Sequence, residues 1–248
     1  MNMDGETALL VGGTFLVAGL VKGMVGVGLP TIALGLLTTV FGITQAIAIL
    51  LVPAIVTNVA QALAGNATRR IARRFWPMLL PACIGIWFGT GVLAGTTSNM
   101  PAAMLGFLIA LHATVSLLAP DIPSPARHER WLSPFIGLVN GTITGFTGSS
   151  VIPGLMYMQA LGLRKEELVQ AMGMLFGLSS LMLFFAFARY ELVDRQTALI
   201  SLGALLPALA GLAAGSAIRL RISEERFRRW LLLALLLLGL NVMLRALA

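Results

Sequence analysis

The sequence predicts an all-α polytopic membrane protein of two inverted repeats, each a broken, discontinuous helix pair followed by three transmembrane helices. Three observations carry that prediction. Of 248 residues, 58% are hydrophobic and only 11% charged, with a mean hydropathy of +0.91, a composition well outside that of soluble domains. Apolar stretches as long as a bilayer is thick recur along the chain. A set of glycine and proline motifs appears twice, in the same order.

Six stretches, 44–65, 75–95, 101–119, 168–188, 197–217 and 230–248, have the roughly 17–25 residues needed to cross a ~30 Å hydrocarbon layer. Two others, 7–41 and 131–161, are apolar but interrupted midway by glycines and by Pro30 or Pro153. Glycine loosens a helix, and proline removes a backbone donor while suiting a new helix start. Each of these stretches therefore reads as two short helices meeting at a break. The N-terminus carries Asp4 and Glu6 in place of the basic segment of a cleaved signal peptide, so the first segment is expected to be retained.

The duplication runs through the whole chain. Gly19, Gly23, Gly26 and Pro30 are answered by Gly137, Gly141, Gly145 and Pro153; Phe41-Gly42-Ile43 by Leu161-Gly162-Leu163; Gln45-Ala46 by Gln170-Ala171; and Pro81, Gly85, Gly89 by Pro207, Gly211, Gly215. Several matches in one order outweigh the low-complexity background of apolar sequence. They divide the chain into a first repeat over 1–119, a cytoplasmic linker over 120–130 and a second repeat over 131–248.

Sidedness follows from parity and charge. A broken pair makes no net crossing whether it re-enters or spans twice, and three crossings follow it, so the second repeat is inverted. The net charge of +7 is concentrated in loops, at Arg69, Arg70, Arg73 and Arg74 and again at Arg219, Arg221, Arg226, Arg228 and Arg229. The positive-inside rule places both clusters, the 120–130 loop and Arg164-Lys165 inside, and both termini outside. Orientation accounts for these cations, and no nucleic-acid partner is expected.

Inverted repeats with discontinuous helices are the architecture of secondary transporters, whose half-helix ends bind the transported species near the bilayer midplane. Amides around Gly26–Leu29 and Gly148–Ile152, just ahead of Pro30 and Pro153, would carry partial positive charge towards each break. Lys22 lies in the first broken segment, and Asn140 is its approximate counterpart in the second. Thr142, Thr144, Thr147, Ser149 and Ser150 add hydroxyls at the second break, and Asn58, Gln61, Ser179 and Ser180 are further polar residues at membrane depth. Ammonium, amide and hydroxyl donors together suit an oxyanion.

The acidic residues, Asp4, Glu6, Asp121, Glu129, Glu166, Glu167, Glu191, Asp194, Glu224 and Glu225, all fall in loops or at segment ends. Cation carriers and pumps place carboxylates inside the membrane, so a cation substrate is disfavoured. His112 and His128 lack partners at metal-ligand spacing and the single Cys83 sits in an apolar run, so neither metal nor cofactor is expected. Alternatives stand beside each residue. Lys22 either meets an anion or snorkels to an interface; Gly19, Gly23, Gly137 and Gly141 favour helix packing; Gly26, Gly28, Gly145 and Gly148 favour the site; and each hydroxyl either faces the site or back-bonds to its own turn.

Glycine-rich segment 19–30, followed by Val52-Pro53-Ala54-Ile55-Val56-Thr57-Asn58-Val59-Ala60-Gln61, resembles the TauE/SafE (TSUP) family of sulfite and organosulfonate permeases. So do Gly137–Pro153, Tyr157-Met158-Gln159-Ala160-Leu161-Gly162-Leu163 and Glu167-Leu168-Val169-Gln170-Ala171-Met172-Gly173. The resemblance covers nearly the whole chain and implies a multi-pass bacterial inner-membrane permease, in which the termini placed outside by parity and charge are periplasmic. Family members commonly carry a denser glycine cluster at each break than Gly26-Val27-Gly28-Leu29 and Gly148-Ser149-Ser150-Val151, which leaves the substrate open.

The expected function is secondary transport of a small anion by alternating access, with sulfite, an organosulfonate or a related sulfur or carboxylate anion as substrate. A passive anion channel and a non-transporting accessory protein are the alternatives. No catalytic residues are expected, since neither HExxH, GxSxG nor a phosphate loop occurs. The expected partners are the anion and the bilayer, with a homo-oligomer left open. The expected substrate-binding set is Lys22, Gly26, Gly28, Asn58, Asn140, Thr144, Thr147, Gly148, Ser149 and Ser150, with Pro30 and Pro153 at the breaks.

Overall fold

The computed structural model describes residues 5–118, 124–218 and 224–248. Asp4, Asp121, Arg219 and Arg221 lie outside these residues. The described chain is all-helical: α1 (Gly5–Val25), α2 (Leu29–Phe41), α3 (Ile43–Leu63), α4 (Thr68–Gly95), α5 (Met100–Leu118), α6 (Glu129–Thr147), an irregular turn over Val151–Leu155, α7 (Met156–Ala160), α8 (Lys165–Arg189), α9 (Arg195–Ile218) and α10 (Glu224–Leu247). Seven of these, α1, α3, α4, α5, α8, α9 and α10, are long and apolar enough to cross a membrane.

Both interrupted stretches are broken at the expected places, between Val25 and Leu29 and between Thr147 and Val151, but the first limb of each is not short. α1 has 21 residues and α6 has 19, or about 31 and 28 Å at 1.5 Å per residue, so the first helix of each pair is full length. The shortening falls on the return limbs, where α2 has 13 residues and α7 only five. Gly19, Gly23, Gly137 and Gly141 pack inside α1 and α6, as their spacing predicted, and close helix packing compensates for their poor helix propensity.

The helices form two compact units, neither a continuous half of the chain. The first comprises Met1–Pro53, Ser98–Leu118 and Leu192–Ala248; the second comprises Ala54–Thr97 and Ala119–Glu191. In the first, α1 packs against α9 and α5 against α10. Gly19 and Gly23 face the backbone of Ala208, Leu212 and Ser216, while Gly211 and Gly215 face Leu16 and Leu20. Residue numbers rise together on both helices, so α1 and α9 run parallel. Gly106 meets Gly239 and Met243, and Gly239 meets Ala110, so α5 and α10 run antiparallel. Phe15, Leu34, Ile49 and Leu105 are among the fully buried side chains of this unit.

The second unit pairs α4 with α6. Gly137, Gly141 and Gly145 face Met78, Ala82 and Ile86, while Gly85 and Gly89 face Leu138, Thr142 and Phe146; these helices are parallel too. Gly173 and Gly177 of α8 face Ala62 and the Asn58–Val59 backbone of α3, which makes that contact antiparallel. Phe75, Met78, Ile86 and Phe187 fill the interior. Ion pairs gather the starts of α4, α6 and α8 at one end: Arg74 Nε to Glu129 at 2.7 Å, Arg164 to Glu167 at 3.0 Å, and Arg70 to Glu167.

The two units thus use the same motifs in the same partnership. In each, a helix with glycines four residues apart packs on a Pro-x3-Gly-x3-Gly helix, α1 on α9 in one unit and α6 on α4 in the other. The repeated glutamines behave alike. Gln45 accepts a hydrogen bond from Thr197 Oγ1 at 3.1 Å in the first unit, and Gln170 Nε2 donates to Thr68 Oγ1 at 2.7 Å in the second. Each pair ties one helix to the first turn of a neighbour.

Pro53, inside α3, explains a further contact. A proline offers no N–H to the carbonyl four residues back, so the Ile49 carbonyl has no helical partner. Ser201 of α9 donates to it at 2.8 Å and accepts from Val52 N–H at 3.1 Å, restoring both backbone groups.

Candidate functional site

In the first unit, α1 ends where the Gly26 N–H bonds the Lys22 carbonyl at 2.7 Å. Gly26 (φ 85°) and Gly28 (φ 111°) then take left-handed conformations open to glycine at no steric cost. Leu29 and Pro30 occupy the first two positions of α2, where a missing N–H costs no helical bond. The Ile32 N–H closes the first turn on the Gly28 carbonyl at 3.0 Å. Lys22, three residues from the break, is 3% exposed. Its side chain does not reach the surface of the chain, so the snorkelling alternative is not what the structure contains.

The second unit's break is more polar. Gly148 (φ 75°) caps α6 with its N–H on the Thr144 carbonyl at 2.7 Å, and Ser149 N–H donates to Thr147 Oγ1 at 3.3 Å. Ile152 is extended (φ −117°, ψ 130°) and joined to Pro153 by a cis peptide; the chain then folds back along α6. Two contacts fasten this hairpin. Gly154 N–H donates to Asn140 Oδ1 at 2.9 Å, and Tyr157 and Ser133 hydroxyls lie 2.8 Å apart. The Tyr157 hydroxyl also donates to the Glu129 carbonyl at 3.3 Å, so the return limb ends level with the start of α6.

The hydroxyls are largely committed. Thr144 Oγ1 donates to the Asn140 carbonyl at 2.7 Å and lies 2.9 Å from Ser150 Oγ. With the threonine proton on the carbonyl, Ser150 is the donor between the two hydroxyls. Thr147 donates to the Ile143 carbonyl at 2.8 Å and Thr142 to Leu138 at 3.0 Å. The reading of these residues as a row of donors is thereby corrected: the threonines back-bond to α6, and Thr142 lies on the face that meets α4. Gly145 is corrected as well, since it packs against Ile86 and Thr90 rather than forming the break. In unit 2 the helix-dipole contribution expected at Gly148 and Ser149 is small, because α7 has only five residues and the dipole is a sum over aligned peptides.

What remains as a donor is Asn140. It is fully buried, its Oδ1 is committed to Gly154, and its Nδ2 has no hydrogen-bond partner. Because the Gly154 N–H requires the oxygen, the amide cannot flip to hide the nitrogen. A buried amide N–H left unmatched costs about 1–3 kcal/mol, which an acceptor entering the break would recover.

The expected site residues therefore fall into two groups. Asn140, Thr144, Thr147, Gly148, Ser149, Ser150 and Pro153 are brought together in the second unit; Lys22, Gly26, Gly28 and Pro30 form the break of the first. Asn58 is fully buried on α3 beside Gly177 of α8. Gln61 serves structure, its Nε2 donating to the Val169 carbonyl at 2.7 Å, and Ser180 back-bonds to Phe176 at 2.8 Å. Tyr157 and Ser133, which hold the hairpin, were not singled out in the sequence. A tyrosine with a serine 24 positions earlier carries no spacing signal.

Neither the curated proteins nor the solved structures contain a match to this chain. The profile of the family described as Sulfite exporter TauE/SafE matches residues 11–242, a span containing both breaks and every helix pair described above. The protein is accordingly a multi-pass membrane protein that belongs to the sulfite exporter TauE/SafE family.

Proposed function

We propose that the protein is a secondary transporter of a small oxyanion, a sulfite- or sulfonate-like species, working by alternating access. The observation that carries the reading is Asn140 Nδ2, a buried donor with no protein acceptor, in a family whose description is sulfite export. Every described acidic side chain lies at a helix start or in a connection, so no described carboxylate competes for donors or offers a cation ligand at either break. Lys22 supplies positive charge at the first break.

Duplication and inversion are part of the proposal. The shared Gly-on-Gly and Gln–Thr partnerships support two copies of one unit, and the parallel and antiparallel directions within each unit agree with the parity argument. The basic ends are taken as cytoplasmic, in a bacterial inner membrane with both termini periplasmic. Exposed tryptophans support an interfacial position for these basic ends: Trp76, Trp131 and Trp230 are 58, 82 and 72% exposed, and each follows an arginine by one or two residues, as in an aromatic belt.

Flux into proteoliposomes tests the proposal. Wild type should move sulfite or methanesulfonate, and Lys22→Gln and Lys22→Ala should both lower that flux, about tenfold or more if one ion-pair contact is lost. Undiminished flux in both variants removes Lys22 from the mechanism. Counter-flow separates carrier from channel, because substrate loaded on the far side accelerates uptake through a carrier and leaves an open pore indifferent.

A further inference from the structure

The charge available inside the protein is small and countable. Among the described residues Lys22 is the only buried side chain that is acidic or basic. The first unit therefore offers an anion at most one full positive charge. The second offers none: its buried polar groups are amides and hydroxyls such as Asn58, Asn140, Thr144, Ser149 and Ser150. Backbone adds little, since each break follows the carbonyl end of a long helix, α1 or α6, and the α7 helix after the second is five residues long. The partial negative end of the first helix opposes the partial positive end of the second.

From this we infer that the transported form is a singly charged anion, and that a weak diprotic acid is carried with one proton still attached. The inference rests on the transport reading above and narrows its substrate. Desolvation cost rises with the square of the charge, so a dianion needs far more compensation than a monoanion when it leaves water. Whichever break holds it, a monoanion meets one full charge or a set of neutral donors; a dianion leaves at least one charge uncompensated. The retained proton also has a place to go. Ser149 and Ser150 hydroxyls accept as well as donate, so the O–H of a hydrogen-oxyanion is not stranded, as it would be in a cage of cations.

The test uses purified full-length protein in proteoliposomes with the membrane potential clamped at zero. Three probes are compared: methanesulfonate, a permanent monoanion; sulfate, a dianion of nearly the same tetrahedral shape; and sulfite, with the pH raised through its second ionisation. Methanesulfonate should move at least about tenfold faster than sulfate. Sulfite flux at fixed total concentration should fall in step with its monoanionic fraction, while methanesulfonate flux over the same pH range stays level. That level control separates substrate ionisation from any titration of the protein. Sulfate moving as fast as methanesulfonate, or sulfite flux rising with the dianionic fraction, overturns the inference and leaves the transport reading intact. No flux of any probe above protein-free vesicles overturns the transport reading, and this inference with it.

Discussion

Replacing Asn140 with leucine, nearly the same volume, deletes two things at once: the acceptor of the Gly154 N–H and the unmatched Nδ2 donor. The first is a stability effect. Gly154 N–H, 2.9 Å from Oδ1, becomes a buried donor without a partner, which costs about 1–3 kcal/mol and loosens the hairpin that carries the break. The second is a binding effect. A hydrogen bond to an anion contributes about 1.5–3 kcal/mol, so its loss should raise the KM for anion flux roughly ten- to hundredfold. Tyr157→Phe provides the control. It strands Ser133, 2% exposed and 2.8 Å from the phenol, and should lower stability by a similar amount, about 1–2 kcal/mol, without touching a donor at the break. Thermal unfolding in detergent measures the first effect and concentration-dependent flux the second. If Asn140→Leu and Tyr157→Phe lose comparable stability and both keep the wild-type KM, Asn140 is a brace for the hairpin and the anion site lies elsewhere.

Three further outcomes follow from the packing and the loops. Gly141→Val places a side chain against the Ala82 carbonyl and should block accumulation of folded protein, whereas Gly13→Ala, with nothing within 4 Å of its new Cβ, should be tolerated; expression and size-exclusion profiles distinguish them. Ser201→Ala leaves the Ile49 carbonyl and Val52 N–H without their bridging hydroxyl and should lower unfolding stability by about 1–3 kcal/mol. Asp194 caps α9 through the Thr197 N–H at 2.6 Å, and hydrogen bonding from Thr197 holds its pKa below the usual aspartate value. A depressed folded-state pKa adds stability above the unfolded value and loses it as pH falls through the folded one. Asp194→Asn should therefore flatten the part of the acid unfolding profile that lies below the ordinary aspartate pKa.

Much of the architecture was legible because a bilayer restricts the options. Long apolar runs have to be helices there, so α3, α5, α8 and α9 fall within a few residues of the stretches read from hydropathy. Breaks were legible because Gly26, Gly28 and Gly148 adopt left-handed backbone, and because Pro30 and Pro153 stand just beyond. The length of the first helices was not, because the spacing that marks Gly19 and Gly141 for packing does not say that the helix around them runs the full thickness of a bilayer. Gly19 and Gly141 are packing glycines only by virtue of Ala208 and Ala82, residues more than fifty positions away.

The hydroxyls teach the same lesson at the site. Five serines and threonines between positions 142 and 150 suggested a row of donors, yet a threonine proton in a membrane helix goes first to the carbonyl one turn back, as at Thr142, Thr144 and Thr147. Asn140 emerged as the donor because Gly154, on the far limb of the hairpin, fixes which way its amide faces. Gln170 shows the converse. Its repetition of Gln45 was visible, but not that its Nε2 would join the Ala62 and Gly65 carbonyls to Thr68.

By itself the sequence determined that the chain is helical, embedded in a membrane and broken twice, since composition, length and glycine–proline motifs are one-dimensional properties to which the bilayer gives a single solution. Only the tertiary structure decided which helices lie together. It drew each compact unit from separate segments of the chain, turned spaced glycines into seams between parallel helices, and left the Asn140 amide nitrogen without an acceptor. Those outcomes depend on close approach between segments far apart in the chain, where van der Waals contact and hydrogen-bond competition act over a few ångströms and leave no periodicity to read.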